Sequence, residues 1–298
     1  MGFNQHLLRS RLLLGFFIQI AAATPIQLCG QAPEPSLTPA QTQALVQRAL
    51  ATESRAAQDL SHVNHPMRYQ LHKVSLNLAS TKEIVETRDG DVARLLSIND
   101  QPLGPADEQH EQARLQALID NPSLQQHRKQ SEDSDTARAM KILRVLPSAF
   151  LYEFIGTGSG GSGVVEKFSF KPNPHFDPPD LETGVLTAMA GEIWIDPIEE
   201  RVMRLAGSLQ QDKDFGLGIL GELDKGGYIE INQADVGGHQ WRIVHLKLVM
   251  NGRILFKAKK SDSVQECSQF VPLPADLSYK QAIQMLRDLP QPAAQAGH

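Results

Sequence analysis

Cysteine is nearly missing from this 298-residue sequence, with two in all. That scarcity excludes a zinc ribbon or finger, which needs more Cys and His at tighter spacing. A disulfide framework is not needed either, because a chain of this length buries a sizeable core. Basic residues are not in excess: 29 Lys and Arg stand against 34 Asp and Glu, a net charge of −5. The mildly acidic balance argues against nucleic-acid phosphates or an anionic membrane surface as the main partner. No hydrophobic run reaches the roughly 20 residues that a helix needs to cross the bilayer core. Aromatics make up 6% of the chain, and Tyr69 is the only one between residues 24 and 149, whereas thirteen lie in 150–279. The main apolar surface is therefore expected in the C-terminal part. At 41% hydrophobic, the chain is too apolar to be disordered.

Catalytic motifs are missing as well. There is no Gly-x-Ser-x-Gly elbow and no His-Glu-x-x-His. The glycine run Gly156–Gly163 lacks the Gly-Lys-Ser/Thr ending of a phosphate-binding loop and reads as a loop, with Gly158–Gly163 as a flexible hairpin tip. His62 and His65 offer two metal ligands without a third, which fits a solvated helix end better. His175 lies beside Asp177 and Asp180 in a proline-dense stretch that reads as a rigid crossover loop. His239 and His245 share one face of an expected strand but stand roughly 20 Å apart at ~3.3 Å per residue, too far to share an ion. No catalytic residue, metal or cofactor is expected, and the chain reads as a non-enzyme.

The N-terminus carries the clearest positive signal. Arg9 and Arg11 precede the apolar stretch Leu12–Ile20, Ala21-Ala22-Ala23 follows, and no acidic residue occurs before Glu34. This is the pattern of a cleaved secretory signal over residues 1–23, placing the mature protein in the periplasm or outside the cell. Removing those two arginines leaves 27 basic and 34 acidic residues, a net charge of −7. Three states are open to Cys29: a lipidated N-terminus, a disulfide with Cys267, or a free thiol. Leu28 before the cysteine weighs against lipidation, and an oxidising compartment permits the disulfide.

Residues 24–37, with Pro25, Pro33 and Pro35, read as an extended leader. A capping box at Thr38-Pro39-Ala40-Gln41 opens a helix running to about Leu60. One long strand is then expected from Met67 to Leu78, with a bulge or a change of facing near Lys73, followed by a hairpin around Asp89-Gly90. Residues 106–146 read as a charged helical insertion broken at Asn121-Pro122, its apolar stripe at Ala139, Ile142, Leu143 and Leu146. Strands separated by tight turns follow, among them turns at Asp196-Pro197, Gly226-Gly227, Gly237-Gly238 and Asn251-Gly252. A second capping box at Ser278 opens a final helix, and 291–298 reads as a disordered tail. Together these predict one α+β domain over 38–290: a large curved antiparallel sheet, a half-open barrel, with helices covering its concave side.

The unit Gly191-Glu192-Ile193-Trp194-Ile195-Asp196-Pro197, followed by Glu199-Glu200-Arg201-Val202-Met203-Arg204-Leu205-Ala206-Gly207, resembles a hairpin of exported proteins with the LolA/LolB-like fold. With Asn99-Asp100-Gln101-Pro102-Leu103 and Pro147-Ser148-Ala149-Phe150-Leu151, it is also similar to exported proteins of environmental bacteria. The resemblance covers about residues 62–262 in pattern, and the charged 106–146 insertion departs from the lipoprotein carriers. It implies an unclosed barrel whose apolar concave face holds acyl chains. On that basis Phe168, Phe170, Ile193, Ile195, Met203 and Leu205 are candidates for a ligand-facing wall, with ordinary core packing as the competing role. The expected function is a non-catalytic binder or carrier of a lipid or lipoprotein acyl chain in the bacterial envelope. A structural or interaction protein with a solid core is the alternative, and a hydrolase using His175 and Asp177 a further one.

Overall fold

The computed structural model describes residues 37–61, 65–160, 163–215, 221–254 and 257–290. The expected signal segment, the leader up to residue 36 and the tail, with Cys29, His62, Gly161 and Ser162, lie outside them.

Helix α1, Pro39–Ser61, opens as expected, with Thr38 Oγ1 accepting from the Gln41 amide and Gln41 Oε1 accepting from the Thr38 amide. Strands β1 (Met67–Ser75), β2 (Leu78–Val85), β3 (Val92–Ile98) and β4 (Gln101–Pro102) follow as a meander. Helices α2 (Pro105–Asp120) and α3 (Pro122–Ala149) then lead straight into β5 (Phe150–Gly160) and β6 (Gly163–Pro172). After short α4 (Leu181–Gly184) come β7 (Met189–Asp196), β8 (Arg201–Leu209), β9 (Lys213–Phe215), β10 (Gly221–Leu223), β11 (Tyr228–Asp235), β12 (Trp241–Ile254) and β13 (Lys257–Pro272). Helix α5, Tyr279–Arg287, closes the chain with the Ser278 capping box in place.

The thirteen strands among the described residues form one sheet with antiparallel pairings, ordered β4-β3-β2-β1-β13-β12-β11-β8-β7-β6-β5, with β10 on β12 and β9 on β10. The first and last strands of that path do not pair, so the curved sheet stays open. Helix α1 packs on β5 and β8, α3 packs on α1 and β5, and α2 and α5 pack on β3. One apolar cluster joins Leu45, Val46, Ala49 and Leu50 of α1 to Phe150, Phe168, Phe170, Ile193, Ile195 and Val202. A second joins Val85 and Val92 to Leu115 and Leu118 of α2 and Ile283 and Leu286 of α5. By register, Val85 and Val92 lie on the opposite sheet face from Ile193, so α5 covers one face of β2 and β3 while α1 covers the other face at β5 to β8, the one expected to be concave.

Several expectations need correction. The single strand over Met67–Leu78 is a hairpin that turns at Leu76 and Asn77, with Leu76 at φ 40. That conformation is costly for leucine, and no Asn-Gly pair announces the turn. The glycine run is mostly strand: β5 continues to Gly160 and β6 begins at Gly163. Asn251-Gly252 is not a turn, since both pair with Lys260 and Lys259 inside the β12–β13 ladder. Gly252 is needed there because a Cβ would stand 2.2 Å from the Glu222 carbonyl oxygen of β10. His239 is not on the strand of His245 but sits before β12 at φ 60. On α3, Met140 is buried and Ala139 exposed, so the stripe runs through Met140, Ile142, Leu143 and Leu146.

Candidate functional site

Four of the expected ligand-facing residues are sealed in the core. Phe168, Ile193 and Ile195 are 0% exposed and Phe170 is 4% exposed, all packed beneath α1. Leu205 is half-buried at the border of this cluster. Met203 is set apart by a bulge: Val202 pairs with Ile195 and Arg204 with Trp194. Val202 is therefore the residue buried in the cluster, while Met203 lies near Gly160 and Val165. Cys267 is a free, half-buried thiol whose pKa is pushed up to about 11 by burial, then by Glu266 and Glu86. Its expected partner Cys29 lies outside the described residues.

The residues of the β7–β8 hairpin motif each have a structural role. Gly191 faces Gly207, and a Cβ on it would stand 1.9 Å from the Ala206 carbonyl oxygen. Trp194 points to the convex side, with Lys167 Nζ 4.2 Å and the Arg204 guanidinium 4.9 Å from its ring centre. Its Nε1 donates to Glu192 at 3.1 Å. Asp196 accepts from the amides of Ile198 and Glu199, which closes the turn. Arg201 reaches α1 and donates to both carboxylate oxygens of Glu53 at 2.8 and 3.0 Å. Arg204 donates to Glu230, holding that carboxyl down at about 2.

Following the register from the core outward reveals a surface that the sequence did not single out. Ile193 pairs with Leu205, Leu205 with Ile231, and Ile231 with Leu246. One row along, Gly207 pairs with Ile229, and Ile229 with Leu248. Paired residues share a face, so Leu205, Ile229, Ile231, Leu246 and Leu248 form an apolar strip on the concave side, beyond the part that α1 covers. All five are half-exposed, and Ile243, 44% exposed, extends the strip along β12. The opposite face of the same strands carries Arg204, Glu230, Asn232, His245 and Lys247, as expected of a sheet with one solvated face. The alternation Tyr-Ile-Glu-Ile-Asn and His-Leu-Lys-Leu was visible in the sequence; the edge of the helical cover was not.

The His175 amide donates to Asn173, and Asp180 instead caps α4 and pairs with Lys141. His65 is exposed, and its carbonyl accepts from Arg242. Among the described residues no three His, Cys, Asp or Glu side chains are grouped as metal ligands. No described helix is long and apolar enough to cross a membrane. A cavity of about 350 Å³ lies between α1 and α3, lined by Ala57, Ala137 and Met140 together with Gln58, Asp133, Thr136 and Arg144.

No known protein-family description matches the sequence, and no curated protein does. Among solved structures, a domain from Vibrio parahaemolyticus described as an outer membrane lipoprotein-sorting protein aligns over 84% of this chain and 100% of its own length. The identity is 9% and the TM-score 0.31. The α+β architecture described above therefore rests on this chain's own strand order and helix packing.

Proposed function

We propose that this protein is an exported, non-catalytic binder of an apolar ligand, a lipid or lipoprotein acyl chain held on the concave face. The observation that carries the reading is the half-exposed strip Leu205, Ile229, Ile231, Leu246 and Leu248, bordered on one side by α1. Burying a methylene is worth about 0.8 kcal/mol. An open strip covers one side of the chain, so a twelve-carbon chain gains about 5 kcal/mol before the cost of association. Such binding is weak and exchangeable, which suits delivery rather than storage. The export signal supports placement in the bacterial envelope.

Native mass spectrometry of protein purified from the envelope tests the reading. Lipid adducts on the wild type, lost in Ile231→Asp while unfolding stays cooperative, are the expected result. The sealed cluster beneath α1 favours a second reading, a structural or interaction protein with no ligand. Recovery of bare protein in every preparation would select it.

A further inference from the structure

The concave face does not end in neutral surface. Beyond the strip, the row Cys267, Leu71, Lys82 and Leu95 crosses β13, β1, β2 and β3 on the same side of the sheet. It leads into a second cavity of about 350 Å³, lined by Lys82, Ala93, Leu95, Glu111, Arg114 and Arg128. The lining itself thus holds three cations and one carboxylate, although the chain as a whole is acidic. Glu111 is already committed: it accepts from the Leu95 amide at 2.8 Å and from Arg114 at 2.7 Å. Lys82 is exposed and has no carboxylate within ion-pair distance among the described residues. Arg128 donates to the Asp91 carbonyl at 3.3 Å, and its Nε is buried without a partner. Glu132 and the Asp91 carboxyl also lie near Arg128; Asp91 is pushed up to about 8, so Glu132 is the carboxylate that offsets Arg128, and Lys82 is the unpaired cation of the lining.

We infer that this cavity receives the anionic phosphate headgroup of a lipid whose acyl chains lie along the apolar strip. The inference rests on the acyl-binding reading above and gives its ligand a charge. From β12 to β2 is three strand spacings, about 14 Å at ~4.8 Å each, within reach of an acyl chain. Half-exposed Leu71 and Cys267 lie on this face, and beside Leu246 the register places Gln265 and then Lys73, a further cation on the same side. Arginine and lysine around one cavity are the groups that recognise phosphate, Arg by its planar fork and Lys as a point charge.

Two soluble lipids of equal chain length, dioctanoyl phosphatidylglycerol and dioctanoyl phosphatidylcholine, separate the possibilities by calorimetric titration of the full chain. The wild type should bind the anionic lipid about tenfold more tightly. Lys82→Glu should erase that ratio, and Lys82→Gln should reduce it; both sit on an exposed position that folding tolerates. Inorganic phosphate should compete only weakly, since it lacks the chains. Equal affinity for the two lipids in the wild type overturns this proposal and leaves the acyl-binding reading standing. Binding of phosphate without preference for the anionic lipid overturns it in favour of a free anion. Binding of neither lipid overturns both readings.

Discussion

Asp91 sits where the β2–β3 turn meets α3, its amide donating to Glu132 at 3.0 Å. Burial first, then Glu132 and Glu86, push its carboxyl up to about 8. In the unfolded chain the same group ionises near ~3.9. Between those values the native state holds the extra proton, so stability falls as pH rises from about 4 to about 8. The limit is about 1.4 kcal/mol per pH unit. Urea midpoints should be higher at pH 5 than at pH 8 in the wild type, and Asp91→Asn should flatten the difference. Glu53 illustrates the opposite kind of carboxylate, fully paired with Arg201 and accepting the Val202 amide at 2.9 Å. Glu53→Ala strands a buried guanidinium and an amide together, and should cost about 3–5 kcal/mol in chemical denaturation. At this scale the sequence is a partial guide. Alternation correctly puts Ile193 and Ile195 on one side, but the bulge that exchanges Met203 for Val202 depends on the partner strand and leaves no mark in composition.

Among the elements, the charged helices solve a problem of the sheet. Strand β3 has only two-residue β4 beyond it, so much of its backbone faces outward. Unpaired strand edges recruit other strands. Here α2 supplies the missing partners: Glu111 accepts from the Leu95 amide, and Arg114 donates to the Ala93 carbonyl. The start of α3 continues the seal, with Gln125 Nε2 donating to the Asp89 and Gly90 carbonyls. Glu111→Ala should therefore lower stability by about 1–3 kcal/mol and raise concentration-dependent assembly, measured by light scattering. The insertion was legible as two helices divided at Asn121-Pro122, because capping and proline signals are local. Its task was not legible, since pairing a helix carboxylate with a strand amide sixteen residues away in sequence is a tertiary event. The turn at Leu76 escaped for a related reason: strand pairing imposes a backbone that leucine does not choose.

For the whole chain, the antiparallel meander and helical cover follow from turn signals and amphipathic periods, both of which are written locally. The location of the open surface does not. It is set by α1 docking onto strands more than a hundred residues later, from Arg48 to Glu200 and from Glu53 to Arg201. That docking turns Phe168, Phe170, Ile193 and Ile195 into core and leaves the equally apolar Ile229, Ile231, Leu246 and Leu248 half-exposed. The Ile231→Asp and Lys82→Glu experiments belong to this scale, because they separate the two ends of one continuous face.

Helix α3 begins hydrogen-bonded to the turn beside β3, near one margin of the sheet, and runs without a loop into β5, the other margin. Its 28 residues span about 42 Å at 1.5 Å each. The helix is thus a ruler laid between the two rims of an open trough. Removing one turn would shorten it by about 5 Å, and the rims would have to draw together or the helix would lose its grip on Asp89–Asp91. The width available to anything lying in the trough is written into the length of a helix whose first half carries one large apolar side chain, Leu124.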